Sequence, residues 1–145
     1  MENVKEVMHT DLVIVAPSAP AIEVAQKMAA TRDGVVAVCN DGRFLGLIDS
    51  FIIVDTIVSR ALNPKREHAR NLINSKTHIF VTPDETVLGA ARMMANNGVR
   101  LLPVVKGGKL LGIISADDIA RENIAMASLV YSETARDLKP VSASV

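Results

Sequence analysis

Residues 101–119 read LLPVVKGGKLLGIISADDI, and residues 35–53 read VVAVCNDGRFLGLIDSFII. Each stretch is an apolar run, a glycine turn, a second apolar run and then the start of a helix. The two lie 66 residues apart, and at that spacing Val15–Val54 aligns with Val81–Ala120 without a gap. Identical pairs include Pro17/Pro83, Met28/Met94, Val38/Val104, Gly42/Gly108, Leu45/Leu111, Gly46/Gly112 and Ile48/Ile114. Upstream, Val4–Met8 resembles Ala69–Ile73 at a spacing of 65. The chain is therefore one supersecondary unit written twice.

Working outward, each copy opens on a short strand, Val13-Ile14-Val15 or Ile79-Phe80-Val81. A proline turn follows, with Ser18 and Asp84 as expected helix N-caps. Ile22, Ala25, Met28 and Ala29 share one helical face, and Leu88, Ala91, Met94 and Ala95 repeat that spacing. Asn40-Asp41-Gly42-Arg43 and Lys106-Gly107-Gly108-Lys109 read as hairpin turns, where glycine supplies positive φ. The strands are continuous apolar runs, so both of their faces must be covered. A unit of about 60 residues is marginal alone, so the two copies are expected to form one pseudo-symmetric α/β globule. Its sheets are expected to pack around Met28, Val38, Ile48, Met94, Val104 and Ile114. The expected division is residues 1–62, residues 63–128 and a poorly ordered tail, 129–145, with Pro64 breaking the linker.

The doubled β-α-β-β-α unit resembles the CBS domain pair, often called a Bateman module. The resemblance rests on Val81-Thr82-Pro83-Asp84, Met94, Leu102-Pro103-Val104-Val105 and Gly112-Ile113-Ile114-Ser115-Ala116-Asp117-Asp118-Ile119. It implies a regulatory sensor that binds AMP, ADP, ATP or S-adenosylmethionine in a cleft between the repeats. It also implies a homodimer, or a module that recruits an unknown partner protein. No cofactor is required on this reading, since the adenine nucleotide is itself the regulatory ligand.

By resemblance, Ser115 takes the phosphate and Asp118 the ribose. Arg100 and Arg121 would reach the phosphate, or else stand as solvated side chains, and Thr77, His78, Ile79, Leu102 and Pro103 would line the base pocket, where His78 reads equally as a surface or structural histidine. A helix N-terminus beginning at Ser115 also suits an anion on physical grounds. The same Ser115-Ala116-Asp117-Asp118 run fits a Ser-x-x-acid capping box, which needs no ligand. The first copy has Asp49 and Ile52 at these positions. Asp49 still caps a helix but repels phosphate, and Ile52 cannot bind a diol. The alternative is a ligand-free interaction module with vestigial clefts.

Composition narrows the function classes. The 145 residues are 49% hydrophobic, with no Trp, one Tyr and three Phe, so the core is aliphatic. Sixteen acidic and sixteen basic residues balance, which argues against a nucleic-acid binder. Cys39, the single cysteine, sits in an apolar run and reads as a small hydrophobe. His9, His68 and His78 lack zinc spacing. No P-loop, dinucleotide fingerprint or nucleophile elbow is present, so no enzyme is expected. Nor is any run long enough to span a membrane, and no export signal is evident, so a cytoplasmic module is expected.

Overall fold

The computed structural model describes residues 2–73 and 79–136. In chain order the elements are α1 (Val4–Val7), β1 (Ile14–Val15), α2 (Ala21–Met28), β2 (Val35–Asn40), β3 (Arg43–Asp49) and α3 (Ser50–Ile52). α3 runs into a π-helical stretch, Ile53–Val58, and the linker carries a 3-10 turn, Ala69–Asn71. Then come α4 (Val87–Asn97), β4 (Leu101–Lys106), β5 (Lys109–Ser115), α5 (Ala116–Glu122) and α6 (Ile124–Arg136).

The strands run in the order β1-β2-β3-β5-β4. β1 lies parallel to β2, while β2/β3 and β4/β5 are antiparallel hairpins. Two-residue turns close both hairpins, with positive φ at Asp41 and Gly42 and at Gly107 and Gly108, as a type I′ turn requires. Both hairpins shift register at the same place, Val38/Cys39 and Val104/Val105. The repeat thus extends to its irregularities. The two half-sheets meet edge to edge at Arg43 and Lys109, where Phe44 N–H donates to Gly108 O at 2.8 Å.

Strand alternation then divides the core in three. Val36, Val38 and Ile48 point to the helices of the first repeat, with Met28. Leu102, Val104 and Ile114 do the same in the second, with Met94. The alternate face, Val35, Ala37, Leu47 and Ile113, forms the seam between the sheets. Sheet-to-sheet packing is therefore present. The six residues expected to build it instead divide between two helix-facing cores, because residues one step apart on a strand face opposite ways.

The segments that precede each repeat cross over. Val4 N–H donates to Glu85 O at 2.8 Å, and His9 and Ile113 exchange both backbone hydrogen bonds at 3.0 Å. Val4 is fully buried in the core of the second repeat. Reciprocally, the linker docks on the first repeat: Ala69 N–H donates to Ala19 O at 2.9 Å, and Ala69 and Leu72 enter that core. Gly46 and Gly112 make room for these crossings. A Cβ at Gly46 would lie 2.3 Å from Ile73, and one at Gly112 would lie 2.8 Å from His9 O.

Several expected boundaries change. The N-caps are Thr86, whose Oγ accepts from Gly89 N–H at 3.0 Å, and Pro20, in place of Asp84 and Ser18. α2 needs no side-chain cap, because Ala21 and Ile22 N–H donate to the linker carbonyls of Glu67 and Pro64. The strand expected at Ile79–Val81 contracts to one parallel bridge, Val81 to Val104; in the first copy Ala37 N–H donates to Val13 O, and Pro103, at the matching position, has no N–H to donate. The tail expected from residue 129 is helical through Arg136, and Ala127 and Val130 are fully buried against the second repeat. Residues 137–145 lie outside the described region.

The linker therefore completes the first core. Leu72→Ala should lower the unfolding free energy by about 2–5 kcal/mol, the range for a buried leucine. Urea denaturation measures it. A change within about 0.5 kcal/mol, as for a surface position, would show that the linker does not complete that core.

Candidate functional site

β5 ends at Ser115, and α5 starts at Ala116. The Ser115 hydroxyl accepts from Asp118 N–H at 3.1 Å, and Asp118 Oδ2 accepts from Ser115 N–H at 2.9 Å. The capping box read from the sequence is thus formed. Ser115 and Asp118 are 7% and 3% exposed, the buried polar residues among those described. A buried carboxylate is stable only when its oxygens are occupied. Besides Ser115, His9 Nδ1 lies 2.8 Å from Asp118 Oδ2, and the Arg121 guanidinium meets Oδ1. His9 Nε2 lies 2.9 Å from Asp33 Oδ2. His9 thereby joins a carboxylate of the first repeat to one of the second.

These residues wall a cleft of about 500 Å³. Leu12, Val13, Val35 and Ile113 provide its apolar lining, while Asp11, Arg32, Asp33, Asp117 and Arg121 provide polar groups. It crosses the repeats: residues 9–13 and 30–35 come from the first, and residues 113–121 from the second.

Of the residues singled out in the sequence, Ser115, Asp118 and Arg121 meet at this cleft. Arg100 is not among its lining residues; its guanidinium stacks 5.3 Å above the Tyr131 ring, and its carbonyl accepts from Ala116 N–H. Ile79 packs on the second core, and Leu102 is fully buried within it. Pro103 lies in β4, with its carbonyl bonded to Val81 N–H. Thr77 and His78 lie outside the described residues. The sequence reading missed His9, Asp11, Leu12, Val13 and Asp33. The repeat carried a signal: Asp11-Leu12-Val13 are the counterparts of Thr77-His78-Ile79 at a spacing of 66. What it did not convey was that the Ser115 motif shares its cleft with the opening segment of the first repeat.

At the matching position of the first repeat, Asp49 Oδ1 accepts from Ile52 N–H at 2.9 Å and caps α3. Ile52 packs on the first core. Among the described residues no three His, Cys, Asp or Glu side chains gather as a metal site, and no helix is long and apolar enough to cross a membrane. Burial pushes the Cys39 thiol up, away from the reactive thiolate.

Comparison with known proteins adds the following. The family model for the CBS domain matches residues 4–59 and 69–124. An uncharacterized protein of Methanopyrus kandleri is 32% identical over 133 residues, spanning 90% of this chain and 67% of that one. An uncharacterized protein of Acidianus ambivalens is 30% identical over 139 residues, spanning 94% and 82%. The crystal structure of a conserved CBS domain protein of unknown function from Thermoplasma acidophilum has a TM-score of 0.78 at 21% identity. That alignment spans 96% of this chain and 82% of the other, and it shows a shared fold.

One contact at the cleft is directly titratable. Tyr131 Oη donates to Asp117 Oδ1 at 2.6 Å, and this hydrogen bond, with burial, raises the phenol above its ordinary value despite the nearby Arg100. With one Tyr and no Trp in the chain, ultraviolet absorbance reads this group alone. Its midpoint should exceed the usual value of about 10. Asp117→Asn removes the charge that holds the proton, so it should lower the midpoint. Equal midpoints would show that the hydrogen bond is absent in solution.

Proposed function

The chain belongs to the CBS domain family, and on that footing we propose that it is a regulatory module whose cleft binds an adenosine-containing ligand: AMP, ADP, ATP or S-adenosylmethionine. The observation that carries this reading is the buried Ser115–Asp118 pair at the wall of a partly apolar cleft spanning both repeats. Asp118 would accept the ribose hydroxyls. Ser115 and Arg121 would meet the phosphate, and Leu12, Val13, Val35 and Ile113 would surround the base. The first-repeat motif, with Asp49 and Ile52, would bind such a ligand weakly or not at all.

A second reading also has an observation in its favour. Both oxygens of the Asp118 carboxylate already meet protein groups, as they would in the vestigial cleft of a protein-recruiting module. Titration calorimetry with the four ligands separates the two. The first reading expects one ligand per chain, bound about tenfold or more weaker by Asp118→Asn, since a hydrogen bond to a charged group contributes roughly 1.5–3 kcal/mol. Asp49→Ala should leave binding intact. Absence of binding to the wild-type protein would favour the recruiting module.

The proposal includes a homodimer. Phe51, Val54 and Val58 follow β3 at helical spacing and are 67%, 56% and 68% exposed. Three large apolar side chains on one face suit a self-complementary contact. Light scattering should give twice the chain mass, and Phe51→Glu should reduce it to the monomer. A monomeric wild-type protein would end this part of the proposal.

A further inference from the structure

The acceptor sites of Asp118 are counted by its contacts. An ionised carboxylate offers about four lone-pair sites, two on each oxygen. Oδ2 receives Ser115 N–H at 2.9 Å and faces His9 Nδ1 at 2.8 Å, so both of its sites are taken. Oδ1 receives Arg121 alone and keeps one site. A vicinal diol that grips a carboxylate places one hydroxyl on each oxygen, so it needs a site on Oδ2 as well. The Ser115 N–H cannot leave, because it belongs to the cap of α5. His9 can leave. It is a side chain at the cleft wall with a second carboxylate, Asp33, 2.9 Å from its other ring nitrogen.

We infer that His9 is the gate of this cleft: its imidazole occupies the ribose-accepting oxygen of Asp118 and must withdraw, toward Asp33, before a ligand diol can bind. The inference rests on the reading of Asp118 as the ribose acceptor and adds regulation to it. An empty cleft is one in which the two repeats are stapled through Asp33–His9–Asp118. Occupancy cuts the staple on the Asp118 side. Because His9 sits just beyond α1, which docks on the second repeat, the gate belongs to a segment separate from both halves of the motif it guards.

Calorimetry with adenosine and with 3′-deoxyadenosine, which lacks one diol hydroxyl, tests this on wild type, His9→Ala, His9→Gln and Arg121→Ala. Removing the gate spares the ligand the rupture of a charge-assisted contact, so His9→Ala should bind adenosine about tenfold tighter than wild type. His9→Gln, which retains a donor, should fall between. The gain should vanish for 3′-deoxyadenosine, which has no second hydroxyl to place on Oδ2. Thermal melts confirm that each variant is folded. As a direct readout, the His9 ring resonances, assigned by their loss in His9→Ala, should shift at saturation with adenosine.

Unchanged or weaker adenosine binding by folded His9→Ala and His9→Gln overturns the gate while leaving the cleft assignment standing. So does a gain confined to Arg121→Ala, or a gain that persists with 3′-deoxyadenosine. Absence of binding to every protein overturns the cleft assignment itself, and the gate with it.

Discussion

Neither repeat closes its own core. The strand-helix-hairpin unit buries one face of its sheet beneath helices and leaves an opening where the chain enters. That opening is filled from outside: Val4 enters the second repeat, and Ala69 and Leu72 enter the first. Gly46 and Gly112 are the matching notches, positions where any side chain would strike the crossing segment. A unit of about 60 residues has too little apolar interior to fold securely by itself. Exchanging the opening segments adds buried area to both cores and makes each depend on the other.

That exchange also decides where chemistry is located. Because α1 lies on the second repeat, residues 9–13 run from the second repeat to the first and pass over the end of β5. The motif at Ser115–Asp118 therefore faces the opening strand of the first repeat, not its own. The seam of Val35, Ala37, Leu47 and Ile113 holds the sheets face to face, and Val35 and Ile113 continue from it into the cleft lining. Packing and site share a surface, so the geometry of the cleft is set by the same contact that joins the halves.

Much of this was legible in the residues. The repeat followed from spacing alone, and the I′ hairpin turns followed from paired glycine-rich dipeptides at fixed offsets. The Ser115–Asp118 capping box followed from Ser-x-x-acid at the end of an apolar run, and it is local, so sequence separation could not obscure it. What failed was nonlocal or a matter of parity. The choice between Val38 and Ala37 as seam residue turns on a single step along a strand. Thr77-His78-Ile79 shares a repeat with the Ser115 motif, whereas the cleft beside Ser115 is lined by Asp11, Leu12 and Val13 of the other repeat; Thr77 and His78 lie outside the described residues. His9 carried no signal at all, because its partners, Asp33 and Asp118, are distant in sequence and nothing in a single histidine announces two carboxylates. Lys139-Pro140 and the Ser-Ala-Ser end dominate the composition of the tail and make it read as loose. Upstream of them, Ala127 and Val130 form a face that is buried in the second core.

The duplication has diverged at the point where its two copies would otherwise have the same chemistry. In the second repeat the fourth residue of the motif is Asp118. It reciprocates the cap and holds a charge in the cleft wall. In the first repeat that residue is Ile52, which packs onto the first core, while Asp49 caps α3. Here that helix widens into π geometry over Ile53–Val58 while presenting Phe51, Val54 and Val58 outward. The second repeat keeps its first turns tight, and α6 then covers its core through Ala127 and Val130. Asp118 in one copy and Ile52 in the other thus mark a half with a polar cleft wall and a half with an exposed apolar helix face. On the proposed reading these are the sensing half and the associating half of one module, joined by the segments they exchange.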